Sequence, residues 1–229
     1  EKNEQKKHQA EIQALQSQIN PHFIVNTLNS IRFMAQVAQF EGIRKMAEAL
    51  VTIVSCSFRS NDSFYTVREE LDMLKTYEYL MQIRYSNSFE VDYQVDEDCL
   101  DYLLPRLILQ PVMENAITHG VAELVDELGQ IRISVSKEDD FLCLSVWDNG
   151  QGIEKEKILE LERNQTQSSN DNRSIGLKNV LARLRLNFGP GVQFLIRSST
   201  DSPDSFTHIT FKLPLETLSK QKTKEENHD

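Results

Sequence analysis

Long apolar runs, an excess of positive charge and clustered cysteines are all missing from this 229-residue chain. No apolar run approaches the roughly 18 residues that read as a membrane-spanning helix, so none is expected within the sequence. The formal net charge is -10, with 35 acidic against 25 basic side chains. No basic patch dominates, which speaks against a nucleic-acid surface. Cys56, Cys99 and Cys143 stand far apart without metal-type spacing. They read as buried thiols in a reduced, cytosolic setting. An initiator methionine is missing too. The chain opens on EKNEQKKHQAEIQALQ, a polar helix entered midway, so an upstream part is expected. The tail SKQKTKEENHD is polar and is expected to be disordered. What is present is an ordinary composition, 39% hydrophobic and 26% charged, sufficient for one large domain or two small ones.

Residues 1–87 read as helical. Ile12, Ile19, Asn26, Phe33 and Phe40 fall on one heptad line, and Leu15, His22, Asn29 and Gln36 on a second beside it. Heptad spacing argues for a coiled coil or a bundle seam. Polar residues interrupt both lines around His22. In QINPHFIVNTLN, 18–29, Pro21 removes a backbone donor and bends a helix, at a cost of about 3 kcal/mol or more. It stands directly before a histidine, the side-chain type whose charge changes near neutral pH. Asn26 and Asn29 follow at helical spacing. A kinked helix with a satisfied histidine accounts for the same residues. Gly42 is expected to break the first helix, with a second over about 43–58 and a turn at SNDS, 60–63. Thr66 with Glu69 forms a capping box that opens a third helix, striped by Leu71, Leu74, Tyr77 and Met81.

The texture changes near residue 88. FEVDYQV alternates as a strand does. LPRLILQPVMENAITHG, 104–120, reads as a helix opening near Pro105 and ending at Gly120. IRISVSK and FLCLSVWD flank the turn EDD as a strand pair, and EKEKILELER is a short amphipathic helix. The polar stretch NQTQSSNDN precedes a helix over 174–189, and VQFLIRS and FTHITFKLP supply two last strands. The expected fold is α+β: a helical region, then a two-layer α/β sandwich whose mixed sheet carries helices on one face.

Three stretches of this half carry possible chemistry. In WDNGQGI, an acid at a strand end precedes Gly150 and Gly152, whose backbone can approach a ligand closely. A carboxylate there can accept from an exocyclic amine such as that of adenine, and a hairpin turn explains the pattern equally. Asn115, in Glu114-Asn115-Ala116, is a poor helix former whose oxygen can join an octahedral Mg²⁺ shell. It can also be a surface asparagine. In SIGLKN, Gly176 near a helix N-terminus lets backbone N–H groups meet an anion, or marks an ordinary loop-to-helix junction. The polar stretch before it suits a lid.

In that order the stretches resemble the ATP-binding domain of the superfamily of gyrase, Hsp90, histidine kinases and MutL (GHKL, Bergerat-type). LILQPVMENAITHG is similar to its N box, DNGQGI to its first glycine box and SIGLKNVLARL to its second. The first half resembles the phospho-acceptor region of LytS/YesM-type sensor histidine kinases, whose signature is close to QINPHFLFNTLN. The resemblance spans residues 15 to 215. It implies domains at 1–87 and 88–216 and a tail at 217–229. It implies His22 as phospho-acceptor, with Asn26 orienting the ring or placing a water, Asn29 as a weaker candidate, and Glu114 as an assisting base. Phe23 stands where several other kinase classes carry an acid. Asn115 becomes the Mg²⁺ ligand and Asp148 the adenine reader. His119, Gly150, Gly152, Ile153, Gly176, Leu177, Lys178 and Asn179 join the ATP site.

The implied activity is autophosphorylation from Mg-ATP and transfer to an aspartate of a response regulator receiver domain. The implied assembly is a homodimer through the N-terminal helices, without nucleic acid and without direct membrane contact in this stretch. The implied location is the cytoplasmic part of a bacterial plasma-membrane protein, anchored upstream. Departures from the family pattern are FIVN for FLFN, Thr118 for a basic residue, Ser174 for the first glycine of GxGL, and no glycine before the threonine of the last strand. The rivals are a GHKL ATPase, a serine kinase of the anti-sigma type and a degenerate ATP-binding scaffold. Pro111 occupies the position of the ATPase general base and counts against the first.

Overall fold

The computed structural model describes residues 21–58, 64–122, 124, 127–163, 172–201 and 203–218. Its contacts divide the chain into two compact units, Glu1–Ser60 and Asn61–Asp229.

The described part of the first unit is a pair of helices, α1 (Pro21–Val37) and α2 (Glu41–Ser57). Gly42 does not end α1. The break falls at residues 38–40, where Gln39 takes the left-handed conformation with φ 58°, and Gly42 lies inside the first turn of α2. Arg44 bridges Glu41 and Glu48 along α2, and Arg32 of α1 approaches Glu48 at 3.9 Å. The residues these helices bury are small: Ala35, Ala47, Ala49 and Cys56. Pro21 is the first described residue of α1, and the helix expected before it lies outside the described residues, as do the SNDS turn, residues 164–171 of the polar stretch and the tail from 219 onward.

The second unit begins with β1 (Phe64–Thr66), which pairs antiparallel with β3 (Leu103–Pro105). Thr66 also caps α3 (Val67–Arg84): its hydroxyl accepts the Glu69 N–H at 3.2 Å while the Glu69 carboxylate accepts the Thr66 N–H at 2.8 Å. By its contacts α3 lies in the second unit, where Glu70 is buried and bonded to the backbone of residues 107–109.

The main sheet has the order β2 (Phe89–Val95), β4 (Gly129–Glu138), β5 (Phe141–Asp148), β7 (Phe206–Pro214), β6 (Gln193–Ser199). β2 and β4 run parallel, and the other neighbours antiparallel. One face is apolar at period two: Ile131, Ile133 and Val135 on β4, Leu142, Leu144 and Val146 on β5, Ile209, Phe211 and Leu213 on β7, all buried. The segment 104–120 is not one helix opening at Pro105. Pro105 ends β3, Leu107 takes φ 53°, and α4 (Gln110–Asn115) starts afterwards with Pro111 in its first turn. Pro111 suits that start because its missing N–H has no intrahelical partner to lose there. α4 runs into a wider π-type turn over Ala116–Val121, closed by the Ala122 N–H on the Ile117 carbonyl at 2.9 Å. α5 (Lys155–Arg163) and α6 (Asn172–Phe188) complete the unit. α6 is buried along Leu177, Val180, Leu181, Leu184 and Phe188, its core-facing side. Among the described residues no helix is long and apolar enough to cross a membrane.

Candidate active site

Asp148 is the last inward-facing position of β5, one step beyond Val146 on the same buried line. The pleat therefore carries a carboxylate to the end of the core, where it is 3% exposed. Two glycines lie against it, and a third, Gly152, follows in the same loop. A Cβ on Gly120 would stand 2.6 Å from Asp148 Oδ1, and one on Gly150 would collide with the Gly120 backbone. Gly152, at φ 77°, lies against the Ser199 carbonyl with no room for a Cβ. The Gly150 N–H donates to Asp148 Oδ1 at 3.0 Å. Burial raises the Asp148 carboxyl from 3.8 to about 7, with the Gly150 bond pulling the other way. Ile153 is fixed by its N–H on Ser198 Oγ at 2.7 Å, and that hydroxyl donates to the Phe206 carbonyl at 2.6 Å.

The π-type turn links this corner to Asn115. Gly120, at its end, touches Asp148, and Asn115 ends the helix before it. Asn115 Nδ2 is buried with no hydrogen-bond partner among the described residues. An unpartnered buried amide is costly and is relieved by an incoming acceptor such as a phosphate oxygen. The same side chain's oxygen is a hard donor of the kind Mg²⁺ takes alongside phosphates and waters. Among the described residues no three His, Cys, Asp or Glu side chains converge as a metal cage. The residues thus fit a cation held through one protein oxygen and the nucleotide. Glu114 is exposed and His119 half-buried.

Gly176 faces Pro111 of α4, with 3.7 Å to the position of an added Cβ, so α6 meets the Asn115 helix there. α6 begins at Asn172, which puts Gly176 past the first four N–H groups, the ones free to meet an anion. Leu177 is buried in the core, Lys178 is half-buried and Asn179 exposed. An open cleft of about 610 Å³ lined by Arg68, Glu97, Asp98, Leu100, Asp101 and Lys137 contains none of these residues.

In the first unit, His22 is exposed in the first described turn of α1. Asn26 stands one turn on, its amide 3.1 Å from His22 Nδ1. Asn29 is half-buried, and Phe23 is exposed. Two residues of the second unit were not singled out from sequence. Thr207 lies opposite Asp148 in the β5–β7 pairing and is buried. Ser198 bolts the glycine loop to the sheet edge. The alternation of FTHITFKLP marks Thr207 as inward-facing, and nothing local marks Ser198.

Two family profiles match the chain: histidine kinase over residues 10–89, and histidine kinase-, DNA gyrase B- and HSP90-like ATPase over residues 101–217. The sensor histidine kinase YesM of Bacillus subtilis is 33% identical over 206 residues, covering 90% of this chain and 33% of YesM. Protein YwpD of the same organism is 35% identical over 202 residues, covering 87% of this chain and 69% of its own. The sensor protein LytS of Staphylococcus epidermidis is 33% identical, covering 89% of this chain and 34% of LytS. The chain thus spans about a third of the length of YesM and LytS. In fold it resembles the histidine kinase domain of the Erythrobacter litoralis EL346 blue-light activated histidine kinase, with a TM-score of 0.50 at 14% identity, over 87% of this chain and 98% of that one. The catalytic domain of histidine kinase ThkA gives the same TM-score at 17% identity, over 68% and 97%. With both profiles matched in order and these relatives aligned along most of its length, the chain belongs to the sensor histidine kinase family.

Proposed function

We propose that this chain binds Mg-ATP in its second unit and phosphorylates itself on His22. The observation that carries the reading is the buried Asp148 carboxylate set against Gly120 and bonded by the Gly150 N–H. A purine can approach such a floor edge-on, and its amine can donate to the carboxylate. Gly152 and Ile153 shape the pocket wall, and Thr207 closes the sheet side. His119, Lys178 and Asn179 border the phosphates, with Gly176 letting α6 meet Pro111 and Leu177 holding α6 against the core. Asn115 is the protein ligand for Mg²⁺. When bound, the cation neutralises phosphate charge as the phosphoryl group moves.

His22 attacks the γ-phosphorus through a ring-nitrogen lone pair, the bond to the β-phosphate oxygen breaks, and ADP departs with that electron pair. Asn26 orients the ring, its amide nitrogen 3.1 Å from Nδ1 and 3.4 Å from Nε2. Glu114, exposed beside Asn115, is the base for the imidazole proton. The phosphoramidate then passes to an aspartate of a receiver domain.

Phe33, Met34, Val37 and Phe40 are exposed on α1 and in the segment after it, an apolar surface suited to a second copy of the hairpin. The working unit is then a dimer at the cytoplasmic end of an anchored bacterial sensor, with the anchor upstream. The test is phosphorylation from γ-labelled Mg-ATP in wild type, His22→Ala and Asn115→Ala. An acid-labile, base-stable label absent from both variants supports the reading. ATP binding without label identifies a scaffold, and label surviving in His22→Ala places the acceptor elsewhere.

A further inference from the structure

Two carboxylates are buried among the described residues, Asp148 and Glu70, and the proposed chemistry uses only the first. Glu70 lies in the first turn of α3 and is 1% exposed. Its Oε2 accepts the Leu107 N–H at 2.8 Å, and its Oε1 accepts the Ile108 N–H at 2.6 Å and the Leu109 N–H at 2.9 Å. Three successive N–H groups converge on one point, as in a backbone nest for an anion, and the anion here is a side chain. Leu107 sits at φ 53°, a conformation leucine rarely adopts, so the surroundings must hold it.

Two acceptor oxygens are required by the count of donors. Without a partner, the three N–H groups would be buried and unsatisfied. A glutamine offers one acceptor oxygen, which serves Ile108 and Leu109, and sets its own NH₂ against the Leu107 N–H. Burial raises the Glu70 carboxyl, while the three N–H groups and the nearby Arg183 oppose the rise.

The clamped segment leads straight into the metal helix. Leu109 flanks α4, and Asn115 ends it. At ~1.5 Å rise per residue, a tilt of about 10° at Leu109 moves Asn115 by roughly 1.5 Å. A misplacement of about 1 Å in a reacting site costs on the order of 10²-fold. We infer that Glu70 is a positioning residue, which holds the backbone of residues 107–109 and so sets how Asn115 meets the metal–phosphate end of the nucleotide. The inference rests on the assignment of Asn115 proposed above. It also joins the two matched regions: Glu70 lies within the histidine kinase match, 10–89, and Asn115 within the ATPase match, 101–217. A shift of α3 is thereby felt at the metal ligand.

The test uses the full chain with Glu70→Gln, Glu70→Asp and Asn115→Ala. Binding of a fluorescent ATP analogue is measured with Mg²⁺ and with EDTA. The Gln variant is expected to lose about tenfold in Mg-nucleotide affinity while the EDTA value stays within about twofold. The Asp variant keeps both oxygens and should fall between it and wild type. A purely structural role would lower both affinities together or neither, and either result overturns the inference. Should the Gln variant fail to fold, the same ratio in the Asp variant decides. If Asn115→Ala loses its Mg²⁺ dependence and the Glu70 variants keep theirs, Glu70 alone is refuted. If Asn115→Ala keeps it, the Asn115 assignment falls and the inference with it.

Discussion

At the residue scale, Asp148 shows how burial sets chemistry. Its carboxyl is raised from 3.8 to about 7 by desolvation. The native state therefore favours the protonated form. The stability this contributes is full below pH 3.8 and declines as pH rises through about 7. Asp148→Asn removes the titration and should stabilise the chain at pH 8 relative to wild type, by up to about 4 kcal/mol. Denaturant melts at pH 5 and pH 8 measure the difference. Nucleotide binding has the opposite sign, because the ionised carboxylate is the stronger acceptor for an adenine amine. ATP affinity should fall as pH drops below about 7 and be weakened in the Asn variant, whose amide oxygen is a neutral acceptor. Calorimetry in buffers of different ionisation heat should then show proton release on binding near neutral pH. Asn26→Ala should slow labelling of His22 by about tenfold through lost ring orientation, without changing ATP affinity. Equal rates in both proteins would remove Asn26 from the mechanism.

At the element scale, the glycine loop and the π-type turn must approach each other without side chains. Gly150→Ala forces a methyl group into the Gly120 backbone and should cost about 1–3 kcal/mol of stability together with ATP binding. Thr66→Ala should cost about 1 kcal/mol, read as a lowered unfolding midpoint. The strands and the capping box were legible because their patterns are local. FEVDYQV and FLCLSVWD alternate, and Thr-x-x-Glu satisfies its own N–H groups. The 104–120 segment was misread as one helix because its break depends on a distant partner. Leu107 and its neighbours give their N–H groups to Glu70, 37 to 39 residues away.

At the scale of the whole molecule, two helices that bury Ala35, Ala47, Ala49 and Cys56 leave Phe33 at 66% and Val37 at 69% exposure. Helices gain most of their stability from packing an apolar face, and these faces lack a described cover. The chain is expected to sediment as a dimer. Phe33→Glu should shift it toward monomer while ATP binding in the second unit persists. A monomeric wild type would place that apolar surface against some other partner.

Sequence alone determined the order of parts: the PHFIVN stretch, the Asn115 helix, the DNGQGI loop and the final strands. These are carried by residue type and short spacing, which survive without knowledge of the fold. The tertiary structure decided what touches what. It carried Asp148 to the end of a buried line, set Gly120 and Gly150 in contact, and placed Thr207 opposite the carboxylate. It also tied α3 to the backbone of residues 107–109 through Glu70. Such choices rest on burial and on donors and acceptors far apart in the chain, and local spacing does not encode them.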